Sequence, residues 1–368
     1  MTELSCRRAV LVGAEQPVEI WKHPIREPAH GEVLLKSSLS GICGTDVHLQ
    51  RGEVPLPGPI VLGHEGIGTI EARGAGVTTD FAGTPISDGD RVFFVPMMPC
   101  GRCHYCTVQQ DATNCENMMA ALFTPADEPP VCTHSEYILL PSEVAFYRIP
   151  DETPSEAVIA FGCALPTILQ GLERVGGVKT GQNVVIQGLG PVGQAATMMA
   201  SQGGASRIIT IDGNSRRLAR AVDFGATDAV SFADFPSVES RVERIRELTG
   251  GMGADLLIEA AGVVAALSEG VHLVAKGGSY LVCGLWSAPG SVAIEPRIIN
   301  NMNMQIKGTS MYEPRHIALA VSVATANHQR YPMAAAVTHK FGLDQMQEAL
   351  DCVAKGEPVK AVVSFGGE

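Results

Sequence analysis

Four of the ten cysteines in this 368-residue chain crowd into one short stretch, Cys100, Cys103, Cys106 and Cys115. A tetrahedral zinc site needs sulfurs that converge at ~2.3 Å, and spacings this short supply all four from one loop. Such a site is closed to substrate, so its role is structural. In zinc-finger peptides binding of this kind contributes on the order of 10–16 kcal/mol. Cys6, Cys132, Cys283 and Cys352 lack metal spacing and read as plain thiols. A second group lies in two Gly-bearing segments, one holding Cys43, Thr45, Asp46 and His48, the other Gly63, His64 and Glu65. A catalytic zinc takes three protein ligands and keeps one position open, and two cysteines with one histidine form a known set. Spacing alone does not choose the third ligand.

A different chemistry is carried by Gly188-Leu-Gly190-Pro191-Val192-Gly193, which fits G-x-G-x-x-G. It follows an apolar run at 183–187 and opens a helical pattern at 191–202, the context that a dinucleotide loop requires. The first glycine turns the chain and the second admits a pyrophosphate to the backbone. The third lets helix and strand pack, and the helix N-terminus faces the phosphate charge. Asp212 ends the next apolar run, 19 positions after Gly193, near the ~20 expected of a ribose-binding acid. A carboxylate there repels a 2′-phosphate and favours NAD over NADP; Arg216 and Arg217 temper that preference.

These groups need elements to hold them. The first ~155 residues are rich in Gly, Pro and short β-type runs such as 32–36 and 91–95, which argues for a mostly β domain. After Pro154 the texture alternates: apolar runs at 183–187, 207–211, 255–259 and 280–283, with helical stretches at 191–202 and 214–224. That order predicts a doubly wound parallel sheet. Helical stretches near 317–326 and 343–354 and a closing apolar run at 360–365 return to a mixed pattern. The stretch between Cys115 and Tyr137, Pro-rich at 125–130, reads as a surface loop, either rimming the substrate cleft or passive.

Composition narrows the class. With 27 basic against 39 acidic side chains the formal net charge is −12, a poor footprint for a nucleic-acid binder. No signal peptide is read at the start, and the uncharged stretches 157–172 and 277–294 are too broken for a spanning helix. Ten cysteines without an export signal point to a reduced, cytoplasmic setting.

With Gly63-His64-Glu65 followed by Gly68, Gly74 and Val77, and with the cysteine loop, glycine loop and Asp212 in that order, nearly the whole chain resembles the zinc-dependent medium-chain alcohol dehydrogenases. The resemblance implies a GroES-like catalytic domain built from both chain ends (1–160 and 304–368) around a central Rossmann domain (161–303), with the active site in the cleft between. It makes Cys43, His64 and Cys163 the catalytic zinc ligands, and Glu65 a neighbouring or transient one. Asp46 orients the His64 imidazole, and Thr45 and His48 form a proton relay. Thr167 meets the nicotinamide, Arg217 the adenosine ribose and Lys360 the pyrophosphate. Two departures stand out: Gly44 replaces a basic residue found in liver-type members, and the last cysteine gap is eight residues where seven is usual.

The implied reaction is reversible oxidation of an alcohol with hydride transfer to C4 of the nicotinamide, zinc lowering the pKa of the bound hydroxyl. Apolar residues at 163–170 and Trp286 lean toward a hydrophobic secondary alcohol, cyclic and terpenoid ones included, rather than a polyol. A zinc-free quinone or enone reductase, or a non-catalytic cofactor-binding protein, are the competing classes. The partner is a small molecule, with no nucleic acid or membrane, and a homodimer or homotetramer is expected.

Overall fold

The computed structural model describes residues 5–286 and 288–366; residues 1–4 of the segment read for a leader, Ser287 and the last two residues of the C-terminal segment lie outside them. Residues 164–311 form one compact unit, and residues up to 163 together with those from 312 onward form another.

The 164–311 unit is organised by a six-stranded sheet in the order Asp228–Ser231, Arg207–Asp212, Asn183–Gln187, Ala254–Glu259, Val274–Val282, Gln305–Gly308, with every pairing parallel. Val184, Val185, Ile186, Ile208, Ile209, Leu257 and Ile258 are fully or nearly fully buried. Continuous apolar runs of this kind mark strands covered on both faces. The helix Pro191–Gln202 starts with proline at its first position, where the missing N–H leaves no bond unmade. The helix Ser215–Asp223 is capped by the Asn214 side chain, which accepts from the amides of Arg216 and Arg217. The doubly wound parallel sheet expected from the alternating pattern is therefore present.

The other unit is mostly β. A seven-stranded sheet runs Val337–Phe341, Lys360–Ser364, Val33–Ile42, Gly66–Arg73, Arg91–Phe94, Phe146–Arg148, with Tyr137–Leu140 also pairing Val33–Ile42. Its register joins the chain ends: Ala361 lies opposite Ile42 and Val363 opposite Ser40, antiparallel. A three-stranded sheet of Val18–Pro24, Ser5–Leu11 and Ile60–Val61 stands beside it. The helix Met346–Ala354 closes a core that includes Leu11, Val47, Leu62, Leu350 and Val363.

Two boundaries differ from the expected 160 and 303. Gln305–Gly308 extends the parallel sheet by pairing with Val274–Val282, so the central unit runs past 303. The stretch between Cys115 and Tyr137 is also not a simple surface loop. Ala126 and Cys132 are buried against Val10 and Val61, and the Ala126 amide bonds the Pro59 carbonyl. Leu122, Ala126 and Cys132 there join a small core that composition alone does not show. Among the described residues no helix is long and apolar enough to cross a membrane.

A Cβ at Gly193 would stand 1.8 Å from the Gly188 carbonyl oxygen, whereas one at Gly190 would meet nothing within 4 Å. Gly193→Ala is therefore expected to cost about 1–3 kcal/mol in urea denaturation, and Gly190→Ala to stay within about 0.5 kcal/mol of the parent. Equal losses would mean that the close helix–strand approach is not what constrains the loop.

Candidate active site

The cysteine loop brings its four sulfurs within 4.8 Å of one another. Sulfurs on a tetrahedron of ~2.3 Å bonds lie about 3.8 Å apart. The Cys103 and Cys106 sulfurs are 3.5 Å apart, and the Cys100 amide donates to Cys115 at 3.4 Å. The amide of Arg102 leads the contacts that bring the Cys100 thiol down to about 6. The long last gap is taken up by Gln110, at a φ of 53°, and by a 3-10 turn at Ala112–Asn114 capped by Asp111. The donor set and its spacing fit a zinc ion.

The second donor group is Cys43, His64, Glu65 and Cys163, again within 4.8 Å. Cys43 sits at the N-cap of the helix Gly44–Gln50, and His64 and Glu65 immediately precede the strand Gly66–Arg73. Cys163 follows Gly162, whose φ is +26°. The two sulfurs are 3.5 Å apart, and the contact from Cys163 holds the Cys43 thiol well below its ordinary value against the opposing effect of burial. Glu65 fits only because two neighbours lack side chains: a Cβ on Gly41 or Gly162 would strike its carboxylate at 1.8 or 2.0 Å.

Buried charge here is arranged in pairs. Glu65 accepts from the Cys163 amide at 3.0 Å and from the Lys360 ammonium, which also donates to the Ile42 carbonyl at 3.3 Å. Lys360 is 2% exposed. Burial favours its neutral amine, but Glu65 and the two thiols outweigh that and raise it above its ordinary value. Lys360, expected at a cofactor pyrophosphate, lies on the end strand Lys360–Ser364 with its ammonium on Glu65. Asp46 is fully buried and accepts from the amides of Cys43 (2.9 Å) and Gly63 (3.2 Å), with His64 Nδ1 3.6 Å away. Burial alone would push its carboxyl up, yet His64, His134 and the Cys43 amide hold it well below the usual range. A His64 ring whose Nδ1 faces a carboxylate turns Nε2 toward the thiols. This donor set also fits zinc.

Thr45 Oγ1 lies 3.9 Å from the Cys43 sulfur, and His48 pairs through Nδ1 with Glu53. In the other unit Gly188 has a φ of +85°, and Pro191 and Val192 are half-buried in the first helical turn. The open space at Gly190 leaves a cradle that a phosphate could enter. Asp212 accepts from the Leu189 and Asn214 amides, both at 2.7 Å, which fixes its carboxylate beside the loop. Each oxygen retains a lone pair for a ribose hydroxyl. The Arg217 carbonyl accepts from Gln194 at 2.9 Å, and Thr167 is half-buried in the helix Ala164–Val175. Trp286 is 41% exposed.

Three residues of the unit that holds Cys43 carried no sequence signal. His134 is buried with Nδ1 2.7 Å from Ser40 Oγ and Nε2 3.9 Å from Asp46. Burial lowers it to about 4. Glu53 and Tyr312 are the others; Tyr312 is 2% exposed and its hydroxyl has no hydrogen-bond partner among the described residues.

Comparison with known proteins agrees with this geometry. A family model described as an alcohol dehydrogenase GroES-like domain matches residues 29–151, and one described as a zinc-binding dehydrogenase matches 191–326. The chain is 43% identical to 5-exo-hydroxycamphor dehydrogenase of Pseudomonas putida, over 97% of this chain and 98% of that protein. It is 29% identical to S-(hydroxymethyl)glutathione dehydrogenase of Photobacterium damsela subsp. piscicida, over 98% and 100%. The crystal structure of an alcohol dehydrogenase from Thermotoga maritima superposes with a TM-score of 0.92 at 29% identity, covering 98% of this chain and 99% of that one.

The unfolded chain protonates His134 near pH 6.5, whereas the fold holds it neutral to about 4. Between those values the unfolded state binds the extra proton, so stability is lost as the pH drops, by up to ~1.4 kcal/mol per unit. Urea midpoints at pH 7, 5.5 and 4.5 should show this slope and His134→Gln should flatten it; an unchanged slope would assign the acid loss to another group.

Proposed function

The chain belongs to the zinc-binding, GroES-like alcohol dehydrogenase family, and from that premise we propose that it oxidises a hydrophobic cyclic secondary alcohol to the ketone, reversibly, with hydride transfer to NAD. As a family member it is an oxidoreductase acting on the CH–OH group of a small molecule, and the family works with zinc and a nicotinamide dinucleotide. The observation that carries the substrate class is the 43% identity, along nearly the full length, to a protein named for a hydroxylated camphor.

Zinc, when bound, supplies the Lewis acidity that brings an alcohol's pKa toward neutrality. Cys43, His64 and Cys163 would hold it, and two thiolates with a neutral imidazole cancel its formal charge. Asp46, pinned by two backbone amides, keeps the His64 ring oriented. Glu65 stays anionic beside the ligands because Lys360 shares its burial. Thr45 would take up the hydroxyl proton, and His48 would receive it in turn. Thr167 would meet the nicotinamide of the dinucleotide, and Arg217 its adenosine ribose. Asp212 accepts from the ribose hydroxyls and disfavours a 2′-phosphate, which supports NAD over NADP.

Cys100, Cys103, Cys106 and Cys115 would hold a second, structural zinc, making two per chain. All ten cysteines are free of disulfides, in keeping with a cytoplasmic enzyme. Assembly as a homodimer or homotetramer belongs to the same reading.

Metal content and a panel of alcohols, followed by reduced-cofactor absorbance with NAD and NADP in parallel, test this reading. Two zincs per chain and NAD-linked turnover of cyclic secondary alcohols are expected. Cys43→Ala should lose one zinc and at least about 10³-fold in kcat, since without the ligand the Lewis acid goes with it. A single zinc retained in Cys43→Ala, or turnover confined to polyols, would overturn it.

A further inference from the structure

We propose that Glu53 is a positioning residue for His48, holding the imidazole so that Nε2 is the nitrogen that takes up the substrate-derived proton; the inference rests on the relay assigned to Thr45 and His48. His48 lies in the last turn of the helix Gly44–Gln50. The chain then folds back on that turn: the Gly52 amide bonds the Leu49 carbonyl at 3.1 Å and the Glu53 amide bonds the His48 carbonyl at 3.0 Å. Gly52 makes the reversal with a φ of +70°, and a Cβ there would stand 2.8 Å from that of Ala14. Both the conformation and the space require glycine.

The reversal lays the Glu53 side chain across His48, where Oε2 meets Nδ1. An ionised carboxylate only accepts, so Nδ1 carries the hydrogen, and in the neutral ring Nε2 carries the lone pair. Backbone and side chain of the same residue thus grip His48 at two points. Nε2 and its neighbouring carbon face Gly44, where a Cβ would lie 3.8 Å from the nitrogen. That glycine, where liver-type members carry a basic residue, leaves this side of the ring open in the turn that also holds Thr45. The helix Met346–Ala354 packs on the same helix but presents Gln347 to Gln50, an uncharged contact. Among the described residues Glu53 is the carboxylate that pairs with His48. A carboxylate that fixes one imidazole nitrogen and leaves the other as base is the arrangement used wherever a histidine must accept a proton in one direction.

The test uses the zinc-loaded, full-length protein with 15N-labelled histidine. In the parent, His48 is expected as the Nδ1–H form at neutral pH. Glu53→Ala should convert it to a mixture and lower kcat for alcohol oxidation about tenfold, leaving the KM for NAD unchanged. Glu53→Gln, whose amide oxygen still accepts, should restore the Nδ1–H form and most of the rate. In a His48→Gln background, Glu53→Ala should bring no further loss. Additive losses in that double variant, or an unaltered His48 spectrum in Glu53→Ala, would overturn the proposal. Should His48→Gln leave oxidation untouched, the relay reading fails, and the nitrogen spectrum alone decides whether Glu53 orients the ring.

Discussion

Two buried carboxylates, Asp46 and Glu65, beside a pair of half-buried thiols must be matched by positive charge, and the sheet that joins the chain ends answers that constraint. Moving a carboxylate out of water costs several kcal/mol unless a partner compensates. Glu65 finds its partner in Lys360, almost three hundred residues later, and Asp46 finds His64 together with two backbone amides. For Lys360 to reach Glu65 the last strand must pair with Val33–Ile42, which ties the chain ends into one sheet. Gly41 and Gly162 then supply the volume that the carboxylate occupies.

The parallel-sheet unit meets a different demand, the close approach of backbone to backbone at the strand ends. Gly193 can touch the Gly188 carbonyl, and Gly188 the backbone of Ala260 and Ala261, because each lacks a side chain, while Gly190 keeps its outward space clear. At the carboxyl ends of neighbouring strands Glu259, fully buried, accepts from the amides of Ala261, Gly262 and Gly284, all at 2.8 Å. One carboxylate thus pins two loops at the edge where open α/β sheets bind their ligands. Asp212 does the same for the glycine loop and the turn that follows its own strand. Fixed loops matter for hydride transfer, because a reacting carbon out of place by an ångström forfeits orders of magnitude in rate.

What could be read along the chain is what is local. Cys100, Cys103, Cys106 and Cys115 converge because they share one loop, and the glycine loop with Asp212 is legible because strand, turn and helix follow one another within thirty residues. Apolar runs bounded by glycine announced the parallel strands, since burial on both faces leaves no alternation to disguise them. The stretch between Cys115 and Tyr137 was misjudged on the same grounds: its packing against Val10 and Val61 involves residues far away in sequence. Gln305–Gly308 was missed because a four-residue edge strand has too little pattern of its own.

The sequence by itself determined the donor types, the dinucleotide loop and the alternating architecture, because each rests on local spacing or pattern, and the order of those motifs along the chain marked the family. Tertiary structure decided which charges meet. A lysine near the C-terminus carries no mark of its partner, and only strand register puts Lys360 on Glu65. His134 reaches Asp46 because Thr133 and His134 pack against Gly63, a contact with no periodic signature. Electrostatic pairing acts through space over a few ångström, so the residues that balance and orient this site became visible only once the chain was folded.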